Sequence, residues 1–137
     1  MSGEVLVPVS VGELFDKISI LEIKQERLGD PAKLDNVRRE LTLLRGIAVR
    51  QAATESLELS SVLAELKKVN LAIWEAEDRI RDCERQGVFE TAFIDVARSI
   101  YHLNDARAAA KRKLNLLTSS AIVEEKSYAP YARETTP

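Results

Sequence analysis

Four charged side chains fall where a helical pattern calls for apolar ones: Glu22, Glu77, Arg107 and Lys111. Glu22 lies one turn after Ile18 in the run Val11, Leu14, Phe15, Ile18 and Leu21. Asn70, Trp74, Glu77 and Arg81 form one line at three- and four-residue steps, edging the stripe of Leu66 and Ile73. Arg107 and Lys111, with Asn104 beside them, lie on the axis defined by Phe93, Ile100, Leu103 and Leu114. A lone buried charge is costly, so inward charges must pair or line a wet cleft. One reading is an ion-pair network that fixes helix register. The other is a pocket whose cations hold an anionic ligand, built from Glu22, Asn70, Trp74, Glu77, Asn104, Arg107 and Lys111. Stripes near helix ends also surface, where Arg and Lys stems cover apolar area.

Other reactive types are scarce. Trp74, the single Trp, reads as a core anchor with its N–H satisfied, or as a stacking platform for a ligand. His102 sits off the main stripe and reads as solvent-facing; Cys83, near a helix end, reads as an ordinary buried or half-buried thiol. One His and one Cys exclude multi-His metal sites, disulfide frameworks and Cys-based zinc sites. No glycine-rich phosphate loop, nucleophile elbow or zinc-protease motif is present. Glu55 and Glu58 with Glu75 and Asp78 resemble the paired acidic motifs that hold magnesium in all-α nucleotide pyrophosphatases. With no turn between them, Glu58 and Glu75 stand about 25 Å apart on one helix, too far to share an ion. Arg107 and Lys111 also suit the all-helical chorismate mutases, whose interior cations hold a dicarboxylate. That fold needs a long first helix, and Gly29, Asp30 and Pro31 stop this one. No catalytic residue, metal or cofactor is expected, and the sequence leans away from an enzyme.

The elements that carry these residues are helices. Ser10 and Glu13 form a capping box, in which the Ser10 hydroxyl takes the Glu13 amide and the Glu13 carboxylate reaches back. The first helix is predicted at 11–28, with Gly29 in the left-handed closing position, Asp30 capping the next helix and Pro31 in its first turn. The second, at 31–52, shows Leu34, Val37, Leu41, Leu44 and Ala48 on one face. No Gly or Pro lies between Gly46 and Gly87, so one helix of about 55 residues competes with a break at 52–57, which is preferred. The third helix is placed at 57–86, stopped by Gly87, and the fourth at 89–117. Residues 18–23 are apolar nearly all round, which marks a central helix or one with a second interface. The termini, 1–9 and 118–137, read as extended or partly ordered. Ile122 and Val123 are candidates to pair with Val5–Val7 as a two-strand clip, and residues 130–137 look frayed.

The chain has 137 residues, enough for a single domain that buries roughly two-thirds of its unfolded surface. It is 45% hydrophobic and 31% charged, which excludes collagen, linker and low-complexity classes. A net charge of −2 is not that of a protein made to grip nucleic-acid phosphates. The start lacks a basic segment followed by an apolar run, and no stretch is long and apolar enough to span a membrane, so a cytoplasmic setting is expected.

Four segments carry a resemblance: Val7–Lys24 (VPVSVGELFDKISILEIK), Trp74–Ile80 (WEAEDRI), Tyr101–Arg107 (YHLNDAR) and Val123–Tyr128 (VEEKSY). Together they resemble a family of short bacterial proteins of unknown function whose members associate loosely with glycosyltransferase and cell-surface polysaccharide genes. The resemblance implies a bacterial, cytoplasmic, glycan-linked context and brings no activity with it. Its motifs overlap Glu22, Trp74, Glu77 and Arg107, and add exposed-looking Lys17, Lys24 and Lys126. The expectation is an all-α antiparallel helical bundle with long hairpin helices. Its expected role is a non-enzymatic interaction or assembly module, homodimeric or bound to a protein partner. The rival is a protein that binds an anionic small molecule at the inward charges.

Overall fold

A computed structural model describes residues 3–51 and 56–133 and forms an all-α bundle of four helices: α1 (Val11–Arg27), α2 (Pro31–Gln51), α3 (Leu57–Gln86) and α4 (Thr91–Leu117). Each predicted helix is found, with ends moved by at most two residues. The expected break at 52–57 falls largely on residues 52–55, outside the described residues, as does Glu55 of the acidic pattern. α3 nonetheless opens on its own cap, the Ser56 hydroxyl accepting the Leu59 N–H at 3.0 Å. α4 starts two residues later than position 89, with Glu90 in the N-cap position and no side-chain bond capping it.

The local stop signals act as their chemistry dictates, with one exception. Gly87 sits at φ +67°, and the chain closes α3 with Val88 N–H on the Cys83 carbonyl and Gly87 N–H on that of Glu84. Asp30 accepts the Ala32 N–H at 2.9 Å and caps α2. Gly29, expected in the left-handed region, is not there. α1 closes instead through Leu28 in an extended conformation, which carries the chain straight into the Asp30 cap and Pro31.

α1 is the central helix, packing on α2, α3 and α4, while α3 and α4 form a long antiparallel hairpin. One face of α1, Leu14, Ile18 and Leu21, meets Val37, Leu41 and Ala48 of α2. Leu59, Val62 and Leu66 of α3 meet Ala110 and Leu114 of α4 in a second cluster, and Phe15 packs against both. The all-round apolarity of residues 18–23 is thus explained by a helix covered on three sides.

α3 is 30 residues long, about 45 Å, whereas α1 has 17 and reaches about 25 Å. The hairpin therefore runs on past its cover. No residue from Glu77 to Ala109 is buried.

The proposed strand clip is not formed. Val5 and Leu6 are 86% and 88% exposed, and no strand occurs among the described residues. A side chain ties the termini instead: the Val11 N–H donates to Ser120 Oγ at 3.1 Å.

Candidate functional site

The charged centre of the molecule lies where α1 crosses α4. α1 carries a second buried line, Gly12, Asp16, Ser19 and Ile23, beside its leucine face. Its small and polar members let the α4 backbone come close. A methyl group on Gly12 would stand 2.5 Å from the Lys111 carbonyl oxygen and 2.9 Å from Asn115 Oδ1.

Asp16, 1% exposed, is the hub. Arg107 grips it with both Nε and Nη2, the first at 2.9 Å. The Asn70 amide donates to Asp16 Oδ1 at 2.9 Å and to Ser19 Oγ at 3.1 Å, which brings α3 into the same network. Lys111 Nζ lies 2.6 Å from Glu13 and 3.2 Å from Glu124 of the C-terminal tail. Burial alone pushes the Asp16 carboxyl up. The hydrogen bonds from Arg107 and Asn70 and the positive charges of Arg107 and Lys111 outweigh it and hold the group below its ordinary value. Burial likewise pulls the Lys111 amine down, and its bonds to Glu13 and Glu124 win, so its value is raised. The bond to Asp16 raises Arg107 against the opposing pull of burial.

The amino end of α1 is sealed by the carboxyl end of α4. Gly12 N–H donates to Asn115 Oδ1 at 2.7 Å, Val11 N–H to Ser120, and Glu13 N–H to Ser10 Oγ at 3.0 Å. These are the amides that would otherwise attract an anion. The capping box is accordingly only half formed: Ser10 takes the Glu13 amide, but the Glu13 carboxylate turns to Lys111 instead of reaching back. A charged partner across the interface is a stronger draw than an amide within the same turn.

The structure brings together three of the seven expected site residues. Asn70, Arg107 and Lys111 meet around Asp16 and Glu13. Asn104 is exposed one turn along α4 and shares with Arg107 and Lys111 the lining of a cleft under the tail. Trp74 is half-buried on α3, so it is no fully enclosed anchor. Glu22 and Glu77 do not converge. Glu22 pairs with Arg45 and Lys67 near the surface, and Glu77 with Arg81 on its own helix. Arg45 on α2 and Lys67 on α3 meet Glu22 at this rim. The acids that complete the centre, Asp16 and Glu13, were missed. Their signal was the spacing 12, 16, 19, 23, a second stripe of small and polar residues on a helix already known to be two-sided.

Residues 5–137 match the model of a family described only as a family of unknown function (DUF6165). The chain belongs to that family. The expectation of an uncharacterised family is met, while a bacterial source and a glycan context stay with the resemblance. No curated protein and no solved structure matches the chain. Three of the segments that carried the resemblance meet at this centre: the first supplies Glu13 and Asp16, the third Arg107, and the last Glu124. Among the described residues, no helix is long and apolar enough to cross a membrane.

The tail supplies the remaining wall. Glu124 reaches Lys111, Glu125 reaches Arg112, Lys126 pairs with Asp105, and the Tyr131 hydroxyl lies 2.9 Å from His102 Nδ1. His102 is exposed, as expected, and clusters with the rings of Tyr101 and Tyr131, all three in mutual contact.

Proposed function

We propose that the protein is a non-enzymatic assembly module that works as a homodimer, two copies pairing the uncovered ends of their α3–α4 hairpins. One observation carries this reading. Between Glu77 and Ala109 nothing is buried, although Ile80, Phe93, Val96, Ile100 and Leu103 recur there at helical spacing. Phe89 and Ile94 at the end of the hairpin are 53% and 51% exposed. Two helices alone cannot enclose such a stripe, whereas four can. A second copy fits because it supplies two helices of the same length, and a two-fold pairing sets each patch against itself. The flanks carry both signs, Asp82 and Arg85 on α3 and Asp95 and Arg98 on α4, so an antiparallel copy can set opposite charges against each other. The inward charges support a structural role: each acid and base at the α1–α4 crossing already has a partner within the chain. On the resemblance drawn from the sequence, the setting of this assembly is a bacterial cytoplasm, as an accessory to glycan-building machinery.

Light scattering coupled to size exclusion at micromolar concentration tests it. The wild-type chain should run at twice its 15.3 kDa mass. Phe93→Glu and Ile80→Glu should run as helical monomers. A wild-type monomer over the whole concentration range overturns the reading.

A further inference from the structure

The C-terminal tail is longer than the path it follows. From Glu124 to Tyr131 it crosses the stretch of α4 between Lys111 and His102. Seven extended residues reach about 23 Å, while those nine helical positions rise about 14 Å. The tail therefore has contour length to spare, and a cleft of about 1260 Å³ is lined by both the tail and α4. The tail is held by polar contacts at the surface, and every residue from Ala121 to Arg133 is exposed. Such contacts are individually weak and reopen readily.

What the cleft offers is specific. Lys111 is only 15% exposed, and one of its two partners, Glu124, comes from the tail. Arg107 spends Nε and Nη2 on Asp16, which leaves its third nitrogen, Nη1, for the cleft it lines. Asn104 adds an amide, and Tyr101, Tyr128 and Tyr131 add ring faces. Once the tail carboxylates leave, Arg112 loses Glu125 and Lys111 keeps only Glu13, so the wall has room for a carboxylate in place of the one Glu124 supplied.

We propose that this cleft binds a small carboxylate with a planar ring, and that Glu124 is the internal occupant the ligand displaces. The head group takes the place of the Glu124 carboxylate on Lys111, within reach of Arg107. The ring lies on the tyrosines, and the slack in the tail lets it close over the ligand without losing the Tyr131–His102 contact. Glu124 acts as a built-in competitor, so the apparent affinity is lowered by the fraction of molecules in which it holds Lys111. This goes beyond the assembly reading and rests on the cleft under the tail, not on the free ends of the hairpins.

The test is a titration of the ¹⁵N-labelled full chain with benzoate, with acetate and phenol as the separated halves, followed by amide shifts. Saturable shifts confined to residues 101–112 and 124–131 are expected with benzoate. Glu124→Gln, a surface change whose fold the same spectra verify, should tighten binding by about fivefold or more. No saturation up to about 20 mM benzoate in either protein overturns the site. Equal affinity in wild type and Glu124→Gln overturns the displacement. Shifts with acetate as strong as those with benzoate overturn the ring-bearing ligand class. The Phe93→Glu chain, titrated in parallel, keeps this result independent of dimerisation.

Discussion

Asp16 and Arg107 stand 91 positions apart in sequence and meet through a two-pronged hydrogen bond, the acid almost wholly enclosed and the guanidinium about a third exposed. The pair ties the central helix to the last one, and Asn70 locks the third helix onto the same carboxylate. Such a pair adds little net stability over an apolar one, but removing one member strands the other.

Arg107→Ala should therefore lower stability by about 3 kcal/mol, since it leaves an enclosed carboxylate with Asn70 as its remaining hydrogen-bond donor. Asp16→Asn should cost a similar amount. The double variant should cost clearly less than the sum, because the two changes remove one interaction. Urea unfolding of the three proteins checks this. An Arg107→Ala chain as stable as wild type, or more so, would mean that the pair is held under strain for some other purpose.

The pH dependence follows from the same contacts. Asp16 has a folded value below the ordinary 3.8, so its contribution is fully present above that value and is lost as pH falls through the lower, folded one. Lys111 has a folded value above the ordinary 10.5, so its contribution is present below 10.5 and is lost as pH rises beyond it. Between these limits both contributions are present in full and neither makes stability change with pH. Melting temperatures from acid to neutral pH should show an acid limb for the wild type that is shallower in Asp16→Asn. Identical acid limbs would remove Asp16 from the account.

The helices were legible in the sequence because local chemistry writes them: Ser10, Asp30 and Gly87 mark ends that any neighbouring structure would respect. The central position of the first helix was legible too, from the apolar surround of residues 18–23. The site was only half legible. Arg107 and Lys111 stood out because a charge on an apolar stripe is conspicuous. Asp16 did not, because Gly12 and Ser19 on its line are neither apolar nor charged, and a helix wheel gives such a face no weight. Glu22 was misplaced for the opposite reason. It lies on the stripe, yet the stripe ends at a rim where Arg45 and Lys67 reach it, and a wheel carries no information on what the neighbouring helix presents.

The turn after α4 gives another test. Ser119 has a positive φ of 52°, where a side chain is strained, and its neighbour Ser120 thereby reaches the Val11 amide. Ser119→Gly should relieve about 1 kcal/mol of backbone strain and, after the loss of unfolded-state stiffness, leave a net gain of a few tenths. Ser120→Ala should cost about 1 kcal/mol, by leaving the Val11 N–H without its acceptor. Thermal unfolding reads both. A destabilised Ser119→Gly would show that the hydroxyl, not the backbone geometry, matters there.

Two glycines separate close packing from helix propensity. At Gly12 the added carbon of Gly12→Ala would lie 2.5 Å from a backbone carbonyl that cannot swing aside, so α1 and α4 must part. The cost should be about 2–3 kcal/mol, and since the same shift draws Asp16 away from Arg107, the acid limb of the melting curve should weaken with it. At Gly46, inside α2, the added carbon meets nothing within 4 Å. There Gly46→Ala should stabilise by about 0.5–1 kcal/mol through helix propensity alone. Both changes add the same methyl group to a helix, so opposite signs in one unfolding experiment would isolate the α1–α4 contact as the cause. A Gly12→Ala chain that gains stability as Gly46→Ala does would mean that the two helices do not approach as closely as the sealed α1 terminus requires.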